Sequence, residues 1–299
     1  MPLAFDSTQF WQQVVYGLAS GGIYASLALA LVIIYRSTRV INFAQGEMAT
    51  FTTFIAWTMW HHGLTKWVAF PLTILIAFVG GVLLERTVVR PVQGAPVLTI
   101  VILTIGLLIL LNGLSSWIWG GDAKNFPSMF SRRPITIGGV AFSIQDFGVI
   151  GVTVGAVVLL ALFFRFTKVG LAMRAAAVNR ETSALVGIRV GWMLALGWGL
   201  SAALGALSGI LVAPSVFLDP NMMLSVLLYA FAAAVLGGLE SPVGAVVGGL
   251  ALGVIINLAG TYIHFIGSEL RLAVGLAVIL AVLLVKPTGL FGRTVASRV

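Results

Sequence analysis

Nine stretches of apolar sequence, each 18 to 25 residues long, dominate this chain and leave little else to build with. A helix needs about 20 such residues to cross roughly 30 Å of hydrocarbon, and in lipid a spanning segment must satisfy its own backbone N–H and C=O groups. The stretches are Trp11 to Tyr35, Ile41 to Trp60, Trp67 to Leu84, Val97 to Trp119, Phe147 to Phe166, Trp192 to Ala213, Met222 to Leu239, Val243 to Ile263 and Ser268 to Lys286. They predict an all-α fold, a polytopic transmembrane helix bundle. The pair flanking Gly237 to Pro242 reads either as two short spans or as a re-entrant hairpin, so eight to nine spans are expected. Composition excludes a water-soluble fold: 60% of residues are hydrophobic and 9% charged, against about 25% charged in soluble domains.

The placement of charge orients the bundle. Basic residues concentrate in cytoplasmic loops. With the N-terminus outside, the inner side holds Arg36, Arg39, Arg86, Arg90, Arg165, Lys168, Arg174, Arg180, Arg189, Lys286, Arg293 and Arg298, twelve against the outer five of Lys66, Lys124, Arg132, Arg133 and Arg271. An odd span count then leaves the C-terminus inside, and the net charge of +8 speaks for a membrane surface, with no nucleic-acid partner expected. Trp11, Trp60, Trp67, Trp117, Trp119 and Trp192 fall at span ends, where an aromatic belt belongs. No basic residue precedes Arg36, so the first stretch is expected to stay as a span rather than be cleaved as a signal. Two long loops, about 120–146 outside and about 167–191 inside, interrupt what otherwise reads as one domain over 1–299.

Covalent chemistry finds little support. The chain has no cysteine and three histidines, His61, His62 and His264, all near outer span ends without paired carboxylates. None of its four lysines follows a glycine, so no phosphate-cradling loop of the Walker type is present. Neither cofactor nor metal is expected in this chain. Glu47 is the acidic residue that falls well inside a span, and no basic residue lies within helical reach of it, which weighs against proton or sodium coupling.

The 35 glycines point to close helix contact, because lipid gives helices little hydrophobic reason to associate. Gly17 and Gly21 form a GxxxG pair, Ser201, Gly205, Gly209 and Ala213 a four-residue ladder, and Gly244 with Gly248 and Gly249 with Gly253 repeat the spacing. Such ladders pack helices within one subunit or against a partner.

Two polar stretches stand out. In Arg36 to Glu47, Asn42 and Gln45 have capping-box spacing, and Glu47 would complement a helix dipole. The same residues fit a helix that begins inside the membrane and aims its positive end at a passage. In Gly170 to Ile188, Leu171, Ala175, Val178, Thr182 and Leu185 recur at spacings of four and three, predicting one short helix with an apolar stripe flanked by Arg174, Arg180 and Glu181. It would dock on a partner or lie at the lipid interface.

These stretches, with Tyr16 to Leu31 and Val235 to Gly249, make the chain resemble, over essentially its whole length, the LivH-type permeases of branched-chain amino acid ABC importers. The resemblance implies a translocation pathway or gate at Asn42, Gln45, Gly46 and Glu47. It further implies an ATPase-coupling helix carried by Gly170, Ala172, Met173, Arg174, Ala175, Asn179, Arg180, Glu181 and Gly187. Its expected partners are a LivM-like second permease, two cytosolic ABC ATPase subunits (LivG/LivF-like) holding ATP and Mg, a periplasmic substrate-binding protein and the lipid bilayer of the inner membrane. The chain departs from the family's habit at Val178–Asn179, where Gln–Asp is usual, and at Glu240, where a small residue is. A non-enzymatic transport subunit is expected; the alternatives are a self-contained channel or secondary transporter for a neutral solute such as urea or an amide, and a structural membrane subunit with no passage.

Overall fold

The computed structural model describes residues 7–292 apart from 39, 138–139, 264–265 and 267–269. Arg39, His264, Ser268, Arg293 and Arg298 lie outside the described residues.

Each apolar stretch carries a helix, though not over its full length. The chain runs α1 (Ser7–Thr38), α2 (Gln45–His61), α3 (Lys66–Leu84), α4 (Val97–Trp119), α5 (Ile144–Phe166), α6 (Lys168–Val178), α7 (Arg180–Leu185), α8 (Val190–Val216), α9 (Met223–Gly237), α10 (Pro242–Tyr262) and α11 (Arg271–Val285). After α3 the helix loosens into a π-turn, Glu85–Val89, and tightens again over Arg90–Val92. The outer loop carries a small antiparallel hairpin, β1 (Pro134–Ile137) with β2 (Val140–Ser143). It runs into α5, where the Ser143 hydroxyl accepts from the Asp146 N–H and the Asp146 carboxylate from the Ser143 N–H.

The helical bundle is as expected, and its helices fall into two length classes. Among the described residues six helices, α1, α3, α4, α5, α8 and α10, are long and apolar enough to cross a bilayer, whereas α2 has 17 residues and α9 and α11 have 15 each. At 1.5 Å per residue the short ones reach about 22–26 Å, less than the roughly 30 Å of hydrocarbon. Local chemistry trims them. The Asn42 side chain holds Ala44 in a turn, which delays α2. Gly238, at φ +102°, adopts a left-handed conformation that stops α9, and Ser241 caps α10 through the Gly244 N–H at 3.0 Å.

Apolar helices lie both inside the bundle and on its outer surface. In α1 and α8, 83% and 78% of the most apolar window is buried, against 17% in α4 and 11% in α5. Large side chains such as Leu98, Ile109 and Leu159 point outward, while the interior combines buried Trp198, Phe54 and Phe70 with many alanines and glycines, as expected where dispersion and close backbone approach hold helices together. α1 is the hub, packed on α5, α8, α9 and α10. A Cβ built on Gly17 would lie 2.6 Å from the Val254 Cα, and one on Gly21 2.8 Å from the Gly249 carbonyl oxygen. No side chain fits there.

Candidate functional site

The start of α2 is a polar point inside the bundle. Gln45 Nε2 donates to the Ser201 carbonyl at 3.0 Å; the Ser201 hydroxyl lies 3.0 Å from Gln45 Oε1 and 2.9 Å from the Ala30 carbonyl, sharing its single proton between them. Asn42 Nδ2 donates to Gln45 Oε1 at 3.2 Å, and Asn42 Oδ1 accepts from the Ala44 N–H at 3.1 Å. Asn42, Gln45 and Ser201 are all buried. The capping box predicted from the spacing is therefore not formed: Ala44 is the cap residue, without a side-chain bond, and the Gln45 amide turns away to α8. Ala30 is eight residues before the end of α1 and Ser201 eleven after the start of α8, so α2 opens about 12–16 Å inside the ends of its neighbours.

A second short helix starts beside it. A Cβ on Gly46 would lie 3.3 Å from Leu227 Cδ2 and 3.5 Å from the Met223 carbonyl oxygen, so the N-termini of α2 and α9 are adjacent. Between them and α4 lies a small polar cluster. Asn112 Nδ2 is shared among Glu47 Oε2 at 3.4 Å, the Pro220 carbonyl at 3.1 Å and Asn221 Oδ1 at 3.1 Å, and Asp219 Oδ1 accepts from the Asn221 N–H at 2.8 Å. Glu47 is only 5% exposed, but Asn221, Leu224 and Ser225 open to the outside of the chain. Polar groups at this depth are costly unless they line a cavity or meet protein. The positive ends of two helices and four amide or carboxylate side chains thus converge where the bundle surface is open.

The segment expected to be one coupling helix is two, because Asn179 breaks it. Its backbone is extended, and its Oδ1 accepts from the Thr182 N–H at 3.0 Å, so Asn179 caps α7 instead of continuing α6. Gly170, Met173, Ala176 and Ser183 are buried against the bundle. Leu171, Val178, Leu185 and Val186 are 60%, 82%, 88% and 72% exposed, with Arg174 and Glu181 exposed beside them and Ala172, Ala175 and Arg180 half-buried. Gly187, at φ +85°, closes the lobe in a conformation only glycine adopts readily. Of the predicted stripe, Leu171, Val178 and Leu185 face away from the chain and no helix described covers them.

The predicted glycine ladders all meet helices of this chain. Gly17 and Gly21 abut Gly249 and Gly253; Gly205 and Gly209 lie against Gln45, Ala49 and Thr53; Gly244 and Gly248 face Gly237 and Ala233. Trp119, assigned to the aromatic belt, turns inward: its ring stacks on Phe54 at 5.0 Å and its N–H donates to the Thr58 hydroxyl at 2.7 Å.

Asn112, Ser201, Asp219 and Asn221 were not singled out from the sequence. Asn112 did carry a signal, as a lone amide in a 23-residue apolar helix. Ser201 was read only for its size. Asp219 and Asn221 are too far from Glu47 in sequence for any spacing rule to join them.

Residues 13–285 match the family model described as branched-chain amino acid transport system / permease component. The high-affinity branched-chain amino acid transport system permease protein LivH of Salmonella typhimurium is 32% identical, the alignment spanning 97% of this chain and 98% of the relative. LivH of Escherichia coli K12 is 31% identical over the same shares, and BraD of Pseudomonas aeruginosa, which bears the same descriptive name, 30%.

Proposed function

The chain belongs to the branched-chain amino acid transport permease family, and from that premise we propose how it works: as the membrane-embedded permease of an ATP-binding-cassette importer that passes branched-chain or related small neutral amino acids across the inner membrane. The observation that carries this reading is the α6–α7 lobe, which spreads four large apolar side chains outside the chain with charge beside them. An apolar patch rimmed by polar residues marks a docking face. Its occupant is one of two cytosolic ATPase subunits, which bind ATP and Mg, and movement at the lobe passes directly into α8.

The passage runs past the α2 and α9 starts, where Gln45, Gly46, Glu47, Asn112 and Asn221 meet. The open side at Asn221, Leu224 and Ser225 faces a second permease of the same kind, and a periplasmic binding protein delivers the solute. Helix N-termini suit the carboxylate of an amino acid, and amide and carboxylate oxygens suit its ammonium group. The orientation puts the N-terminus outside and the α6–α7 lobe in the cytosol: Arg36, Arg165 and Arg174 converge at that end, where the Arg86 guanidinium also lies 3.4 Å from the Trp192 ring centroid. α2, α9 and α11 are the short members of nine crossings.

The test is reconstitution of the permease pair in liposomes. Labelled leucine should enter only when ATPases, ATP and binding protein are all present. Uptake by the permeases without ATP would instead establish a self-contained channel or secondary transporter.

A further inference from the structure

We infer that the groove between α5 and α10 is a binding site for an anionic phospholipid, independent of the solute path. It holds about 450 Å³. Its floor is Leu29 of α1; Val157, Leu160 and Phe164 form one wall and Val246 the other. These walls run about 10 Å along the helices, and α5 and α10 both pack on α1, so the groove opens sideways to where lipid chains lie. One end is different in kind. Arg36, Arg165 and Arg174, from three separate helices, line it.

The occupant follows from that division. A basic pocket between membrane helices, continuous with an apolar slot, matches a negatively charged headgroup above an acyl chain. A free phosphate would use the arginines and leave the slot empty; a neutral lipid would do the reverse. A smaller hollow of about 40 Å³ between α1, α6 and α8 shares Arg36, Phe164, Arg174 and Pro242 with the groove. The headgroup would therefore tie α6 to α1 and α5, the helices on which the lobe is mounted.

The full chain, purified with its partner permease, should be placed in nanodiscs of phosphatidylcholine containing a minor share of phosphatidylglycerol, then extracted and weighed with its retained lipid by native mass spectrometry. Phosphatidylglycerol should be retained in preference, and Arg165→Gln and Arg36→Gln should each lower that preference about fivefold. Val246→Trp, which fills the slot without touching charge, should lower retention of any lipid at the site while leaving the complex folded by its melting temperature. Equal retention of both lipids, or a preference untouched by all three variants, overturns the site. So does a cross-link from Val243→Cys to the partner permease in high yield, which would show that a protein helix fills the groove.

Discussion

The start of α2 and the α6–α7 lobe are both polar interruptions in an apolar chain, yet the structure treats them oppositely. At α2, Asn42, Gln45 and Ser201 are buried and bonded to one another. At the lobe, Asn179 and Gly187 shape the backbone so that Leu171, Val178, Leu185 and Val186 are left outside. The first region spends its interactions within the chain and so fixes where a helix begins. The second withholds them and so is suited to a partner. A substitution at α2 should therefore register in the stability of the permease alone, and one at the lobe only in the assembled importer.

The largest effect that could break this contrast is expected from Gly209→Val. A Cβ there would lie 2.9 Å from the Ala49 carbonyl oxygen and closer still to the Thr53 hydroxyl, forcing α2 off α8. Overpacking of this kind costs about 3 kcal/mol, enough to lose most folded protein in detergent; a normal elution profile and melting temperature would show that α2 is not held where the structure puts it. Next comes Gln45→Leu, which removes the acceptor of the buried Asn42 amide and the donor to the Ser201 carbonyl, leaving the Ser201 hydroxyl with the Ala30 carbonyl alone, at a cost of about 1–3 kcal/mol. Its melting temperature should fall, and that of Gln45→Glu, which matches glutamine in volume but turns the Nε2 donor into a second acceptor facing the Ser201 carbonyl, should fall further. Equal losses would mean that the network contributes only volume.

Leu185→Glu sharpens the other side. An exposed residue this far from the bundle should change stability by no more than about 0.5 kcal/mol. In the complete complex, stimulation of ATP hydrolysis by the binding protein should drop about tenfold, roughly 1.4 kcal/mol of lost docking. A lower melting temperature of the permease pair with hydrolysis intact would assign Leu185 to the fold instead.

Why one region was more legible than the other follows from the range of the interactions. The ladders at Gly17 and Gly21 or Gly205 and Gly209 are local spacings, visible in the sequence; that Gly21 meets Gly249 and Gly209 meets Thr53 is tertiary and is not. The nine apolar runs marked nine helices, but their lengths overstated α2 and α9, since a side-chain turn at Asn42 or a left-handed Gly238 trims a helix without altering hydropathy. Gln45 was singled out, but its partner Ser201 is 156 residues away, beyond any capping rule. The lobe was legible as an apolar stripe because no described helix of the chain covers Leu171, Val178 or Leu185. Its break at Asn179 was hidden, for the spacing from Leu171 through Leu185 suits an unbroken helix.

That break gives the smallest and most local prediction. Asn179 Oδ1 holds the Thr182 N–H, and removing an N-cap costs about 1 kcal/mol. Because α7 has only six residues, the loss should stay there: in Asn179→Ala, amides from Thr182 to Gly187 should exchange with deuterium about fivefold faster while those of α6, anchored by buried Met173 and Ala176, keep their rates. If α6 and α7 acted as one helix, alanine, the better helix former, would slow exchange across both. The direction of the change therefore decides whether the lobe is two levers joined at Asn179 or a single rod, and only two levers would let α7 and α8 shift while α6 stays seated on the bundle.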